Sequence, residues 1–474
     1  MKTKYWQRML IGLGLTLVLT TPWASATNYY VVTSSQQPSP TPPWTNWGWA
    51  HTNLIEVVAA ARGGDTVYVT NNATYWLTNQ ITVSYPITVR SWGPGGIMDP
   101  TNTILDGNYP NTTNRHFTLN NYWATIAGFT LTNGWASPET NLSANGGSIY
   151  IYYGMVTNCI IMRNYALSTN AASYSILGGG GIYMGPNAGN SGGVWNCTIS
   201  GNSAYKSGGG IITISGSGNW RIANCTISGN SASTEGGGIT ARGESTIISN
   251  CWIVSNRGSG GASGAGIILN NGAECHNSFI MGNASDTTVW NEGGGVRIFG
   301  GGLLRNCLIA NNIARYGGGV AVYDALSRIQ NCTIVSNYVS VSWGGLYVGR
   351  TNVATKVENT IIWGNSSADT YSNWFITANV GAVSTFSNCC TSPKFYNAYG
   401  NLTDVNTITN DPRLISTTDF RLQSSSPCIN AGANRAWMEN ALDVYGNRRI
   451  DNFRKTVDIG AYEYLSPGTV FGFQ

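Results

Sequence analysis

The chain has 474 residues and a formal charge of +4, and 60 of its residues are glycine. Only 10% are charged, against about 25% in ordinary globular domains. Without Lys2, Lys4 and Arg8 the balance is 22 basic to 21 acidic residues, which argues against nucleic acid or a strongly charged membrane surface as a partner.

The N-terminus has a basic start, the apolar run MLIGLGLTLVLTT and then Ala24-Ser25-Ala26. This reads as a secretory signal cleaved after Ala26. Residues 1–26 are therefore assigned to a signal peptide, and the mature chain is expected to be secreted or held at the cell surface. No cysteine follows the cleavage point, which disfavours a lipid anchor, and no later stretch is long enough to cross a bilayer as a helix. Residues 27–50, with SSQQPSPTPPWTNWGWA, read as a Pro-rich extended lead-in. An Ala-rich helix is predicted from about Asn53 to Ala61, broken at Gly63-Gly64. A strand over Thr66–Thr70 follows, then two less regular coils through ITVSYPITVRSWGP and NTILDGN.

From residue 140 onward the chain repeats itself. NCTISGNSA occurs at Asn196 and again at Asn224, and weaker copies start at Asn158, Asn250, Asn277, Asn306, Asn331 and Asn359. Successive starts are 38, 28, 26, 27, 29, 25 and 28 residues apart. Glycine clusters alternate with them, for example GGGI at Gly179, Gly208 and Gly236 and GGGV at Gly293 and Gly317. The runs after the clusters, such as IITIS and VRIFG, alternate with period 2 and are bounded by Gly, Asn and Ser, as short strands are. A period of 20–50 residues built from short strands marks a solenoid. We therefore expect a single-stranded right-handed parallel β-helix over residues 51–390, all-β, with the helix as its N-terminal cap and residues 391–474 as an irregular C-terminal cap.

Stacked coils place equivalent residues about 4.8 Å apart. The repeated Asn lies where apolar alternation changes phase, so it is assigned to a left-handed corner, with amides hydrogen-bonded along the column. Cys159, Cys197, Cys225, Cys251, Cys307 and Cys332 share the next position and are expected to be buried thiols, because parallel side chains cannot bridge. A disulfide of Cys428 with Cys389 or Cys390 is expected near the end.

The helix, GGDTVYV, ITVRS and TILDGN followed by Gly/Asn coils resemble the pectate-lyase-like superfamily of right-handed parallel β-helices. The alternating GGG[IV] and C-x-I-x-x-N motifs are similar to the repeats of polymorphic outer-membrane adhesins. The end region, NDPRLISTTDFRLQSSSPCINAG and DVYGNRRIDNFRKTVDIGAYEY, resembles the terminal module of exported bacterial β-helix proteins. In that group a sorting tail usually follows, and here only LSPGTVFGFQ does, so the anchor is expected to be missing or replaced. These resemblances imply the fold; a fold does not name a reaction.

Outward positions in the strands after the glycine clusters are unusually aromatic and include two arginines. Arg242 and Arg297, two coils apart, with Tyr183, Phe299, Tyr323 and Tyr347, are the candidate residues for stacking and pairing with a sugar polymer; a loop or the C-terminal segment covering the stripe is the competing reading. Glu235 and Glu292, each before GGG, are expected to share a ridge without meeting. No adjacent-coil pair of carboxylates appears, and His51, His116 and His276 look isolated, so no catalytic cluster and no metal site are predicted. The expected function is binding of an extracellular polysaccharide or cell-surface polymer by a monomer without cofactor. The alternatives are a polysaccharide lyase or glycoside hydrolase, with calcium only in the lyase case, and a structural or adhesive surface protein.

Overall fold

The computed structural model describes residues 26–465 except 35–39, 41, 137–143, 168–177, 187–188, 215, 217, 260–263, 324–325, 350–353, 371, 378–382, 397–401 and 451–454. The signal-peptide assignment thus lies outside the described residues but for Ala26. The chain is a parallel β-solenoid. Its strands form sheets of 23, 12 and 7 strands, and they pair in parallel with their equivalents in neighbouring coils. The largest sheet carries two columns of strands. One column follows the glycine clusters (Ile182–Met184, Ile211–Thr213, Ile239–Arg242, Ile267–Asn270, Val296–Phe299 and onward). The other precedes the corner Asn (Ile247–Ser249, Glu274–His276, Leu303–Arg305, Arg328–Gln330, Lys356–Glu358).

Register explains the repeated sequence. Ile182, Ile211, Ile239, Ile267, Val296, Val320 and Leu346 stand over one another and are fully buried. One apolar cluster runs from Val31 to Leu402. A single coil cannot bury such a face; its neighbours do it. The glycines are needed where coils touch. A Cβ on Gly209 would stand 2.3 Å from the Ser231 carbonyl oxygen, closer than any side chain tolerates.

The corner Asn residues are left-handed as expected: φ is 52° at Asn158, 53° at Asn196, 54° at Asn224 and 53° at Asn250. The following cysteines face the core as thiols, and those of Cys197, Cys225 and Cys251 donate to the carbonyl two residues earlier at 3.1, 3.2 and 3.2 Å. The amide ladder, however, runs mainly through a different Asn, six residues on. Asn164, Asn202, Asn230, Asn256, Asn283, Asn312, Asn337 and Asn365 pass Nδ2-to-Oδ1 hydrogen bonds of 2.9–3.0 Å from coil to coil. The corner residues Asn196, Asn224 and Asn250 are exposed, so their amides need no protein partner. The second column is buried, where a polar group needs a protein partner.

The ends differ in kind. At the N-terminus a helix, Leu54–Ala60, is capped by Asn53, whose side chain accepts from Ile55 N and Glu56 N, and it buries Leu54, Val57 and Val58. The lead-in is more ordered than expected: Asn28–Val31 is a strand paired with Thr66–Val69. At the other end the coils continue past residue 390, since Leu402–Val405 pairs with Ser384–Ser387. The segment after them turns back along the flank. Phe420, Leu422, Cys428, Val444, Ile459 and Tyr462 bury Leu308, Ala310, Val335, Ile361 and Cys390, outward residues of the 12-stranded sheet. Two earlier coils carry Thr198, Ser200, Thr226 and Ser228 at the equivalent positions. Arg449 and Glu463, paired at 2.7 Å, are buried in this junction, and Arg449 also donates to the carbonyls of Gly460 and Ala461.

All ten cysteines are free thiols. Cys428 meets Cys390 by a side-chain hydrogen bond that raises the Cys390 thiol pKa, with burial adding to the rise. Cys389 faces the solenoid core instead, so of the two bridge partners expected only Cys390 is adjacent to Cys428.

Candidate functional site

The stripe anticipated from sequence is real in register and different in exposure. Arg297 stands beside Ile268 and Ala321, while Arg242 stands beside Asn270, and Asn270 beside Phe299 and then Tyr323. The two arginines are therefore two coils apart but in different columns, two residues across the strand. Tyr183, Tyr323 and Tyr347 are only 4%, 2% and 6% exposed. An outward aromatic on one coil meets the next at about 4.8 Å, close to ring-stacking distance, so such a column covers itself. The ring centroids of Tyr150 and Tyr183 lie 4.7 Å apart, and those of Tyr323 and Tyr347 5.4 Å apart. Burial accordingly pushes the Tyr183 phenol up to about 12. It raises that of Tyr323 too, with the charge of Glu292 and a hydrogen bond to it adding to the effect.

Arg242, Arg297 and Phe299 remain partly accessible. Arg242 is neutralised by Glu235 at 2.5 Å. Arg297 has no ion-pair partner among the described residues, and its guanidinium lies over the rings of Tyr323 and Phe299, at 5.0 and 5.9 Å. Beside it runs an aromatic ladder that sequence reasoning did not assemble. Trp290 packs on Tyr316 at 4.3 Å, Tyr316 on Trp343 at 4.9 Å, and Trp343 on Phe375 at 5.3 Å. Trp290, at the end, is 60% exposed; its Nε1 donates to Glu292 at 3.0 Å. Among the described residues, Arg242 Nε, Asn270 Oδ1 and Arg297 Nε are buried without a hydrogen-bond partner. Glu235 and Glu292 occupy equivalent places before their glycine clusters, each engaged by its own coil, and no group of three metal-ligating side chains occurs among the described residues.

A second polar face lies on the strands before the corner Asn. Register stacks His276, Arg305, Gln330 and Glu358 in one column, and Arg328 and Lys356 in the next. His276 Nε2 is 3.0 Å from Glu274, so His276 is not isolated as the sequence suggested. Arg305 donates twice to Gln330, at 3.0 and 2.8 Å, Gln330 to Glu358 at 2.9 Å, and Arg435 pairs with Glu358 at 2.7 Å. The close approach of His276 leads the effects that hold the Glu274 carboxyl below its usual value. Burial pushes the Glu358 carboxyl up, but hydrogen bonds from Arg435 and Gln330 outweigh it and the net shift is downward. The signal was present in ECHN, LLRN, RIQN and KVEN. Aligning the residues one and three places before each corner Asn would have found it.

The other histidines are structural. His51 Nδ1 accepts from Asn53 N at 2.8 Å. His116 is fully buried between Ser148 and the Thr132 carbonyl, each at 3.0 Å, and burial pushes its pKa down to about 4.

No protein-family model and no curated protein sequence matches the chain. Among solved structures it is similar to pectate lyase Pel9A, at TM-score 0.44 and 15% identity over 93% of this chain and 97% of that one. It is also similar to alginate lyase AlyF-OU02 in complex with G6, at 0.42 and 14% over 74% and 83%. A third is the GH136 lacto-N-biosidase from Eubacterium ramulus, at 0.40 and 11% over 76% and 68%. No residue role is carried across from any of them. The protein is a parallel β-solenoid with two chemically distinct faces, one aromatic with Arg297 and Arg315 against its rings, the other a mixed-charge ridge.

Proposed function

We propose that the chain binds an extended carbohydrate polymer along the outside of its coils without cleaving it. It acts outside the cell, as a monomer and with no cofactor. The observation that carries this reading is the aromatic ladder ending in exposed Trp290, on the coil that also carries Arg297. A pyranose ring presents an apolar face that packs on an indole, and the partly accessible Arg297 can donate to its hydroxyls or acid groups. One coil advances about 4.8 Å, comparable to one sugar unit, so successive sugars meet equivalent positions.

A second reading, a glycan-cleaving enzyme, is favoured by one observation: Glu274 and His276 touch each other on an accessible face with Arg328 nearby. Affinity electrophoresis against neutral and acidic polysaccharides, run alongside absorbance for unsaturated uronates and a reducing-end assay, separates the two. Retarded migration that Trp290→Ala and Arg297→Ala each weaken at least tenfold, with no product formed, supports binding. Product formation lost in His276→Ala supports the enzyme.

A further inference from the structure

We infer a second binding site, for the acid groups of a sulfated or carboxylated polysaccharide, on the ridge formed by Arg328, Lys356 and Arg435. It is separate from the Trp290 face and does not depend on that reading. Arg328 and Lys356 are direct partners on adjacent strands. Like charges so placed repel, and sheets ordinarily avoid them; where a chain keeps such a pair, an outside counter-charge is the natural compensation.

The ridge's own carboxylates supply only part of that counter-charge. Glu358 is taken by Arg435 at 2.7 Å and Gln330 at 2.9 Å. Glu274 lies 3.0 Å from His276 and pairs with Arg328 at 3.9 Å, leaving Lys356 without a carboxylate of its own. Lys356 is exposed and makes no ion pair among the described residues. Four cations, Arg305, Arg328, Lys356 and Arg435, thus face two carboxylates.

The docked C-terminal segment completes the site. It contributes Arg435 and also Trp437, whose ring lies 4.3 Å from the Arg305 guanidinium. Among the described residues, Trp437 Nε1 lacks a hydrogen-bond partner. The indole fixes Arg305 from one side, and Arg305 holds Gln330. The open edge of the ridge is therefore left to Arg328 and Lys356, about 4.8 Å apart along the axis. A guanidinium takes a carboxylate or sulfate by two parallel hydrogen bonds, and an ammonium takes it as a point charge. Two acid groups on one flexible polymer, or one shared between both cations, fit this spacing.

The test uses the full chain with dextran sulfate, polygalacturonate and neutral dextran, at several salt concentrations. The expected result is binding of at least one acidic polymer that weakens steeply with salt. Arg328→Ala/Lys356→Ala should lose at least tenfold affinity for it, and Arg328→Lys/Lys356→Arg should restore most of that loss. Both side chains are at the surface, so an unchanged thermal midpoint shows that folding is intact. The tighter of the two acidic polymers tells sulfate from carboxylate. Affinity within twofold of the native chain in the alanine pair overturns the site, as does no binding of either acidic polymer. Loss of binding confined to Trp290→Ala or Arg297→Ala would assign the polymer to the aromatic face and likewise overturn it.

Discussion

Replacing Asn256 by alanine tests the element on which the stack most depends. Its Oδ1 accepts from both the main-chain N and the Nδ2 of Asn230, at 3.0 Å each. Its Nδ2 donates to the Ile227 carbonyl at 2.9 Å and to Asn283 Oδ1 at 3.0 Å. After truncation Asn230 Nδ2 still reaches the Ile199 carbonyl, and Asn283 Oδ1 still accepts from the Asn256 main chain. The Asn230 main-chain N–H and one amide proton are left unpaired in the core, and the Ile227 carbonyl loses a donor. At about 1–3 kcal/mol for each buried orphan, the loss is on the order of 4 kcal/mol. Asn256→Asp keeps both acceptances but cannot make the donations once ionised, so it should be less stable at neutral pH than at pH 4. In a solenoid the damage is local to neighbouring coils. Urea unfolding followed by tryptophan fluorescence gives the global change, and hydrogen exchange of peptides covering residues 226–232 gives the local one. A loss below about 1 kcal/mol, with unchanged protection in those peptides, would refute the argument that this ladder holds the coils in register.

Three further outcomes are expected. His116 prefers its neutral form when folded, with a pKa of about 4 against about 6.5 in the unfolded chain. Its contribution of about 3 kcal/mol is complete above pH 6.5 and is lost as pH falls toward 4; thermal midpoints measured from pH 7 to 4 should decline less steeply in His116→Asn. Arg449→Met strands Glu463, whose carboxyl is already pushed up by burial despite the arginine. The docked segment should weaken by about 3–5 kcal/mol and be cut first in limited proteolysis, while an unchanged cleavage pattern would contradict this account of the junction. All ten cysteines should alkylate in the unfolded chain without reductant; mass spectrometry finding only eight modified would show that Cys390 and Cys428 are bridged.

How much was legible beforehand depended on whether a property belongs to one coil or to the contact between coils. Periodicity alone determined the coil length, the strands after the glycine clusters, the inward Ile and Val column and the left-handed corner at Asn196 and its equivalents. Each follows from local backbone preference and a period of two. The helix over Leu54–Ala60 was equally readable, because Asn53 caps it and glycines end it.

Only stacking decided the rest. Tyr183, Tyr323 and Tyr347 face outward as alternation requires, yet their rings are buried, because the coil rise nearly equals the distance at which aromatic side chains pack. Arg305, Arg328 and Lys356 lie far apart in the chain and looked like scattered charges until register set them side by side. The flank covered by Phe420, Leu422, Cys428, Val444, Ile459 and Tyr462 likewise rests on a match between the outward apolar residues Leu308, Val335 and Ile361 and a segment more than fifty residues beyond them. The one-dimensional pattern specifies what each coil presents. Which of those surfaces stays open is set by what the neighbouring coil, or the returning chain, places against it.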